Sequence, residues 1–196
     1  MPAEKLALAE PLIRGRAMIE LLAHLDEFEP GLHERVMTRV PPASAEVITQ
    51  ALATDWILAS HTRLVIDGIV AELGPRASWL WASLVQRRLM SSPLLAGLVG
   101  VVKRLGGASP QRFLKAVPRG WDNAYKGWCT VRLIAVDTNH AEVVFEQVAS
   151  YLFEHRQHWI AIEGVLEGLV RAGGEIATVD LRFESSQSRV TAAVSW

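Results

Sequence analysis

The sequence predicts an α+β fold, with a helical N-terminal half followed by a four-stranded antiparallel sheet built from two hairpins that a helix separates. Three observations predict this fold. Apolar residues recur at helical spacing in most segments before Pro118. Strand-like alternation follows in residues 128–146 and again in residues 177–196. A helical stretch with interior glycines lies between the two alternating regions.

The glycine-containing helix runs from His158 to Ala172. Its apolar residues recur every three or four positions: Trp159, Ile162, Val165, Leu166, Leu169 and Val170. Gly164, Gly168 and Ala172 form a ladder of small residues on another face. An interior glycine costs roughly 1 kcal/mol against alanine, so we expect a sheet or a second helix to pack closely on this face. The glycine pair after Ala172 ends the helix.

Two hairpins flank this helix. The first is predicted from residues 128–136 and 141–146, with a polar turn between them. The second joins residues 177–183 to residues 190–196. In its last strand the inward-facing set is Val190, Ala192, Val194 and Trp196. Two hairpins of this pattern favour one antiparallel sheet with helices on one face.

The N-terminal half is divided into helices by glycine and proline. Helices are predicted at residues 15–25, 30–40, 44–53, 60–73, 79–91 and 93–105, with a short one after Pro110. Ser44 and Ser60 are predicted N-caps. Residues 5–8 are predicted to be a short extended piece or a frayed turn. The 93–105 helix is apolar on most sides, which indicates a buried central helix.

Composition limits the function classes. A chain of 196 residues, 50% of them hydrophobic, predicts one domain spanning residues 1–196 with one core. The net charge of −1 gives no basic footprint for nucleic acid or an anionic membrane. Cys129 is the only cysteine, so an internal disulfide and a multi-cysteine metal site are excluded and a cytoplasmic location is expected. The first residues lack the basic-then-apolar run of a secretory signal, so no such signal is expected. The sequence has no apolar run of about 20 residues, the length that spans a membrane.

No catalytic signature is present. The sequence has no G-x-S-x-G, P-loop or dinucleotide fingerprint, so we expect a non-enzymatic protein without a cofactor or a metal. His155 and His158 have a spacing that metal ligands use, but no third ligand lies nearby, which favours a solvated helix start. His61 follows a predicted cap, which favours a surface or capping role.

Three further side chains have ordinary interpretations. Glu163 and Glu167 lie four residues apart and could act as an acid and a base, but nothing in the sequence separates their pKa values, so surface charge is favoured. Cys129 lies on a predicted strand without an adjacent histidine, which predicts a small buried side chain rather than an activated thiolate.

Motifs along nearly the whole chain carry a family resemblance. They are Gly15 with the leucine-rich helix after it, Asp55-Trp56, Leu73-Gly74, the run from Pro110 to Gly120, the run from Gly164 to Leu169, and Val194-Ser195-Trp196. On these residues the chain resembles a myxobacterial paralogous family of unknown function. Its fold also resembles haem-nitric-oxide-binding domains, vinyl-reductase-type domains and small TRAPP subunits. This resemblance implies either a hydrophobic ligand or haem held between helices and sheet, or a dimeric interaction module.

The residues do not support the haem alternative. Haem-nitric-oxide-binding domains combine a proximal histidine with a Tyr-x-Ser-x-Arg motif that clamps the propionates. Tyr125 is followed by Lys-Gly-Trp-Cys and Tyr151 by Leu-Phe-Glu-His, so neither tyrosine begins that motif. Vinyl-reductase-type domains often add a cysteine-rich cluster, which the single cysteine cannot supply.

Seven tryptophans are the most informative remaining residues. Most are expected in the core. Trp79 and Trp81 lie two apart on a predicted helix, so at least one of them should approach the surface. Trp121 lies in a loop-like stretch. These three tryptophans are therefore the candidate interface residues.

Two hypotheses follow. The first is a non-enzymatic domain that binds or senses a hydrophobic small molecule in a pocket between helices and sheet. Its candidate lining residues are Trp56, Leu98, Phe145, Trp159 and Val194. The alternative is a homodimeric protein-protein interaction module that uses the helical surface near Trp79 and Trp81.

Overall fold

The computed structural model describes residues 10–91 and 109–196. Its helices are α1 (Gly15–Phe28), α2 (Leu32–Arg39), α3 (Pro42–Gln50), α4 (Ala59–Leu73), α5 (Ala77–Ser91), α6 (Pro110–Leu114), α7 (Val117–Ala124), α8 (Ser150–Glu154) and α9 (Gln157–Ala172). Its strands are β1 (Leu12–Arg14), β2 (Trp56–Leu58), β3 (Tyr125–Lys126), β4 (Thr130–Val136), β5 (His140–Glu146), β6 (Thr178–Glu184) and β7 (Arg189–Ser195). The predicted features at residues 5–8 and 93–105 lie outside the described residues.

The predicted α+β fold with its four-stranded antiparallel sheet is confirmed. The strand order is β4-β5-β7-β6, so the second hairpin joins the first through its later strand. Residues that pair across the sheet form one apolar face: Val131, Leu133, Ala141, Val143, Phe145, Val190, Ala192, Val194, Val179, Leu181 and Phe183. Helix α9 packs against this sheet through β6 and β7. No described helix is long and apolar enough to cross a membrane.

The glycine ladder of α9 packs on α5. A Cβ atom at Gly164 would overlap the carbonyl oxygen of Ser78, and one at Gly168 would lie 2.7 Å from the carbonyl oxygen of Ala82. The two backbones approach so closely that only a residue without a side chain fits at either position. The expectation of a closely packed neighbour is therefore confirmed, and the neighbour is a helix.

A second, three-stranded sheet was not predicted. Its order is β2-β1-β3, and all of its pairs are antiparallel. Ile13 of β1 pairs with Ile57 on one side and with Tyr125 on the other. Strands of two or three residues are too short to show alternation, so sequence periodicity could not reveal them.

Two predicted helix caps were wrong. Helix α3 begins at Pro42, where the fixed φ of proline suits the first turn, and Ser44 lies inside the helix. Helix α4 begins at Ala59, and the Glu10 carboxylate accepts a hydrogen bond of 2.5 Å from the backbone N–H of Ser60. The Glu10 side chain, which is distant in sequence, therefore caps the start of this helix, and the Ser60 side chain does not.

Candidate ligand-binding site

His158 is a buried histidine in the first turn of α9. The residue is 1% exposed, and its Nδ1 lies 3.2 Å from the carbonyl oxygen of His155. A carbonyl can only accept, so Nδ1 carries the proton and donates it. Burial lowers the pKa of His158 to about 4, helped by the nearby Arg63 charge. At neutral pH the ring is therefore uncharged, with a lone pair on Nε2.

The Nε2 atom of His158 is buried without a hydrogen-bond partner. The Trp128 ring lies edge-on at 5.1 Å between ring centroids, and the Tyr151 ring at 5.9 Å. Trp128 Nε1 is also buried and unpartnered. Tyr151 Oη is buried with no acceptor for its proton, although the Arg63 guanidinium lies near enough to interact with its oxygen. Burial raises the pKa of Tyr151 to about 12 against the opposing effect of Arg63, so its hydroxyl keeps its proton. One acceptor and two donors thus lie unsatisfied on three adjoining rings.

The rings continue as an aromatic wall toward the sheet. Trp121 lies 6.4 Å from Trp128 and 5.4 Å from Phe145, as measured between ring centroids. Phe145 in turn contacts Trp159 at 5.3 Å. Trp121 Nε1 is a further buried donor that lies near the Cys129 sulfur without a hydrogen bond of good geometry. By contrast, Trp159 Nε1 donates to the carbonyl oxygen of Leu152 at 3.0 Å. The wall is therefore apolar on the sheet side and polar near His158.

The predicted pocket residues separate into two places. Phe145, Trp159 and Val194 lie in the core, each exposed by 1% or less. Trp56 lies on β2 in the small sheet, stacked against Arg14 at 4.3 Å and Lys126 at 4.2 Å. There it lines an open pocket of about 500 Å³ with Val47, Gln50, Ala51, Asp55, Ile57, Leu58 and His61. Leu98 lies outside the described residues.

The predicted interface residues also separate. Trp79 is 52% exposed on α5, as an interface residue requires. Trp81 is 6% exposed because it faces Gly164 of α9. Trp121 is 8% exposed and lies in α7 rather than in a loop. The expectation that at least one of Trp79 and Trp81 approaches the surface is confirmed by Trp79. As candidate interface residues, Trp81 and Trp121 are corrected, because packing between elements covers both.

The structure also shows the burial of the other side chains that the sequence offered as chemical candidates. Cys129 is half-buried, and burial raises the pKa of its thiol to about 12, so it is not an activated thiolate. Glu163 and Glu167 are half-buried rather than fully solvated, and burial raises the pKa of both. His61 is half-buried, with Nδ1 3.0 Å from Ser44 Oγ.

His158 is the residue that sequence reasoning assigned wrongly. We expected a solvated helix start, yet the ring faces the core. The missed signal is its spacing, since His158 precedes Ala161 and Ile162 by three and four residues and both are buried. Periodicity alone could not show that Nε2 lacks a partner.

Within the described residues, no group of three or more His, Cys, Asp and Glu side chains could hold a metal ion. Haem does not fit there either. His24 engages both ring nitrogens, with Glu27 at 3.2 Å and Ser83 at 2.7 Å. His158 has a lone pair, but its Nε2 is shielded from solvent, and haem, which is far larger than a molecule with one ring, would have to displace both Trp128 and Tyr151 to reach it. The cation beside this cluster is Arg63, and its Nη1 lies 3.3 Å from His155 Nδ1.

The sequence matches no protein-family model and no curated protein. Solved structures are similar in fold. The Fe(II) unliganded H-NOX protein from K. algicida is 12% identical, with 93% of this chain and 96% of that chain covered and a TM-score of 0.59.

Two further solved structures of H-NOX domains are similar in fold to this chain. An oxygen-binding H-NOX domain related to soluble guanylate cyclases is 13% identical over 93% of this chain and 94% of that chain, with a TM-score of 0.57. A mutant of the T. tengcongensis H-NOX is 13% identical over 93% of this chain and 97% of that chain, with a TM-score of 0.55. Identities this low show the fold alone. The chain therefore has a fold similar to that of H-NOX domains, as the resemblance implied.

Proposed function

We propose that this chain is a sensory domain that binds a small molecule in its interior, with His158 as the polar centre of the site. One observation carries the proposal: a neutral, buried histidine whose Nε2 lone pair has no partner, beside two unpartnered donors. Buried polar atoms are nearly always hydrogen-bonded, so a group of exceptions calls for an explanation. The similarity to H-NOX domains supports a ligand-binding fold by analogy.

The cost of the unpaired polar atoms favours a ligand that carries a polar group. Each buried polar atom left unpaired costs about 1–3 kcal/mol. A molecule that donates to His158 Nε2 and accepts from Trp128 Nε1 or Tyr151 Oη would recover part of that cost. The surrounding rings would meanwhile bury its apolar part. The expected ligand is thus compact and mainly apolar, with one group that both donates and accepts a hydrogen bond.

Entry requires the rings to move apart, since these polar atoms are shielded from solvent. Tyr151 is the half-buried member of the group, and its ring packs on the ring of His155 at 4.5 Å between ring centroids. We expect Tyr151 to rotate first, because the rings of His158 and Trp128 are almost fully covered.

Phenol is a suitable probe, since its hydroxyl both donates and accepts and its ring matches the aromatic wall. We expect phenol at about 1–10 mM to shift the ¹⁵N resonance of His158 Nε2 and the indole N–H resonance of Trp128. Toluene has the same size without the hydroxyl, and it should bind at least about tenfold more weakly if the polar atoms matter.

His158→Phe keeps the ring volume but removes the lone pair, so it should abolish the preference for phenol over toluene. Native mass spectrometry of protein purified from cells gives a second test, in which a retained small molecule is expected. If both resonances stay fixed in saturating phenol and only the bare polypeptide mass is found, the proposal is wrong.

An interaction module remains the second candidate, and the half-exposed Trp79 favours it. A large exposed indole on a helix surface is typical of protein contacts. Kinship with the myxobacterial family, with vinyl-reductase-type domains or with TRAPP subunits stays a prediction, and so do the cytoplasmic location and the homodimer.

A further inference from the structure

Strand β6 is an open edge of the four-stranded sheet. It pairs with β7 through all seven of its residues in continuous register, and no other described strand pairs with it. An edge strand presents backbone N–H and C=O groups that can bond to another strand. The opposite edge is protected differently, because β4 carries a bulge between Leu133 and Ala135 and α7 packs beside it.

The apolar face of the sheet is incompletely covered along β6. Val179, Leu181 and Phe183 are half-buried, whereas their cross-strand neighbours on β7 are fully buried. Ile176, just before the strand, is 79% exposed. β6 has no proline and no inward-facing charge, which are two of the devices that prevent edge pairing. Its charged residues, Asp180, Arg182 and Glu184, lie on the outer face and alternate in sign. A further strand beside β6 would bury this apolar row.

We infer that two copies of this chain pair through their β6 strands, antiparallel, with Leu181 opposite Leu181 of the second copy. The sheets then join into one eight-stranded sheet about a two-fold axis. On the outer face, Asp180 lies opposite Arg182 of the second copy, and the axis repeats this pair. Within one chain these two side chains already contact each other, with Arg182 Nε 3.4 Å from Asp180 Oδ2. Because the two side chains are 67% and 69% exposed, this contact is weak, and each residue can exchange it for its counterpart in the second copy.

The charges and the length of the strand together select this register. A pairing centred on Phe183 would also set Arg182 opposite Glu184, but it would pair only residues 182–184 of the strand. A shift that centres the axis on Asp180 or on Arg182 places like charges directly opposite each other, which destabilises the pair. A shift by one residue would place apolar side chains on the polar face of the neighbouring sheet. On the inner face, the chosen register sets Val179 opposite Phe183, an aromatic and β-branched pair that stabilises antiparallel strands.

This dimer goes beyond the proposed ligand site and does not depend on it. The surface also differs from the one around Trp79, which lies on α5. A seven-residue strand pair is smaller than a standard interface, so we expect roughly micromolar affinity.

Sedimentation equilibrium of the full chain tests the pairing from about 1 to 200 µM. Asp180→Arg and Arg182→Asp should each weaken the dimer by about tenfold or more, because each creates two like-charge contacts. The double variant restores opposite charges and should return to within about threefold of the wild type. Since both side chains are largely exposed, the fold should tolerate all three variants.

Cross-linking tests the register directly. Leu181→Cys places a thiol opposite itself, so mild oxidation should give a covalent dimer. Thr178→Cys is the matched control, because its two copies would lie roughly 20 Å apart in this register. A wild type that stays monomeric, equal association of all charge variants, or equal cross-linking of both cysteine variants would overturn the inference. Loss of association on Trp79→Glu alone would place the interface on α5 instead.

Discussion

Gly164 of α9 lies directly against the carbonyl oxygen of Ser78 in α5, where no side chain fits. We therefore expect Gly164→Ala to separate the two helices and to lower the free energy of unfolding by about 3 kcal/mol. Urea denaturation followed by circular dichroism would measure this change.

Gly120 provides the matched control, since it lies in α7 with open space where its Cβ would be. Gly120→Ala should raise the free energy of unfolding by about 0.5–1 kcal/mol, because alanine favours the helix. Equal effects of the two substitutions would contradict the close packing of α5 on α9.

His158→Phe should stabilise the protein by about 1 kcal/mol, because it removes an unpaired buried nitrogen while the ring still fills its space. The bond from Nδ1 to the His155 carbonyl is lost as well, but that carbonyl still accepts from the backbone N–H of residue 158. Thermal unfolding would report a rise of roughly 2–4 °C. The matched control is Trp159→Phe, which breaks the bond to the Leu152 carbonyl and should cost stability. A destabilised His158→Phe protein would mean that the histidine serves the structure rather than a ligand.

Stability should depend on pH through His158. Its pKa is about 4 in the folded protein and near 6.5 when unfolded, so the unfolded chain binds a proton first as the pH falls. The free energy of unfolding therefore drops between pH 6.5 and pH 4, by about 3 kcal/mol from this residue. Because the glutamates of α9 titrate nearby, the wild type must be compared with His158→Phe at each pH. Parallel curves for the two proteins would refute the lowered pKa.

Substitutions of the two tryptophans of α5 should change the free energy of unfolding by very different amounts. Trp79→Glu changes a half-exposed side chain and should alter the free energy of unfolding by about 0.5 kcal/mol or less. Trp81→Ala removes a buried indole and should cost about 3–5 kcal/mol. Chemical denaturation of both variants gives the comparison, and similar losses would show that the helix is turned differently.

Cys129 should react slowly with iodoacetamide. With the thiol pKa near 12, the thiolate fraction at pH 8 is on the order of one in ten thousand. Mass spectrometry should show labelling at least about 100-fold slower in native protein than in urea. Fast native labelling would mean that the thiol is more exposed and more acidic than its surroundings imply.

Periodicity predicted the larger elements because their length lets a pattern repeat. Helix α9 and strands β4 to β7 could be placed from sequence, and the glycine ladder predicted a close neighbour. Contacts between distant residues could not be placed. The capping of Ser60 by Glu10 and the pairing of Ile13 with Tyr125 join positions that no local pattern relates.

The candidate site was predictable in part for the same reason. The patterns of α9 and β5 place Trp159 and Phe145 inside, and ring contact then follows. Trp56 lies elsewhere because its strand is too short to detect. The polar centre depends on whether Nε2 of His158 has a partner, which only three-dimensional neighbours decide.

The central position of β7 governs the order in which the sheet can assemble during synthesis. After β4, β5 and β6 have been synthesised, β4 and β5 can pair as a hairpin, but β6 has no strand to pair with. Strand β7 is the one that bonds to both β5 and β6. Until those seven residues emerge, two apolar strand edges stay open to other chains. Nascent chains that stop just before Arg189 and are held clear of the ribosome by a flexible linker should therefore bind chaperones more strongly than linked chains that extend through Ser195.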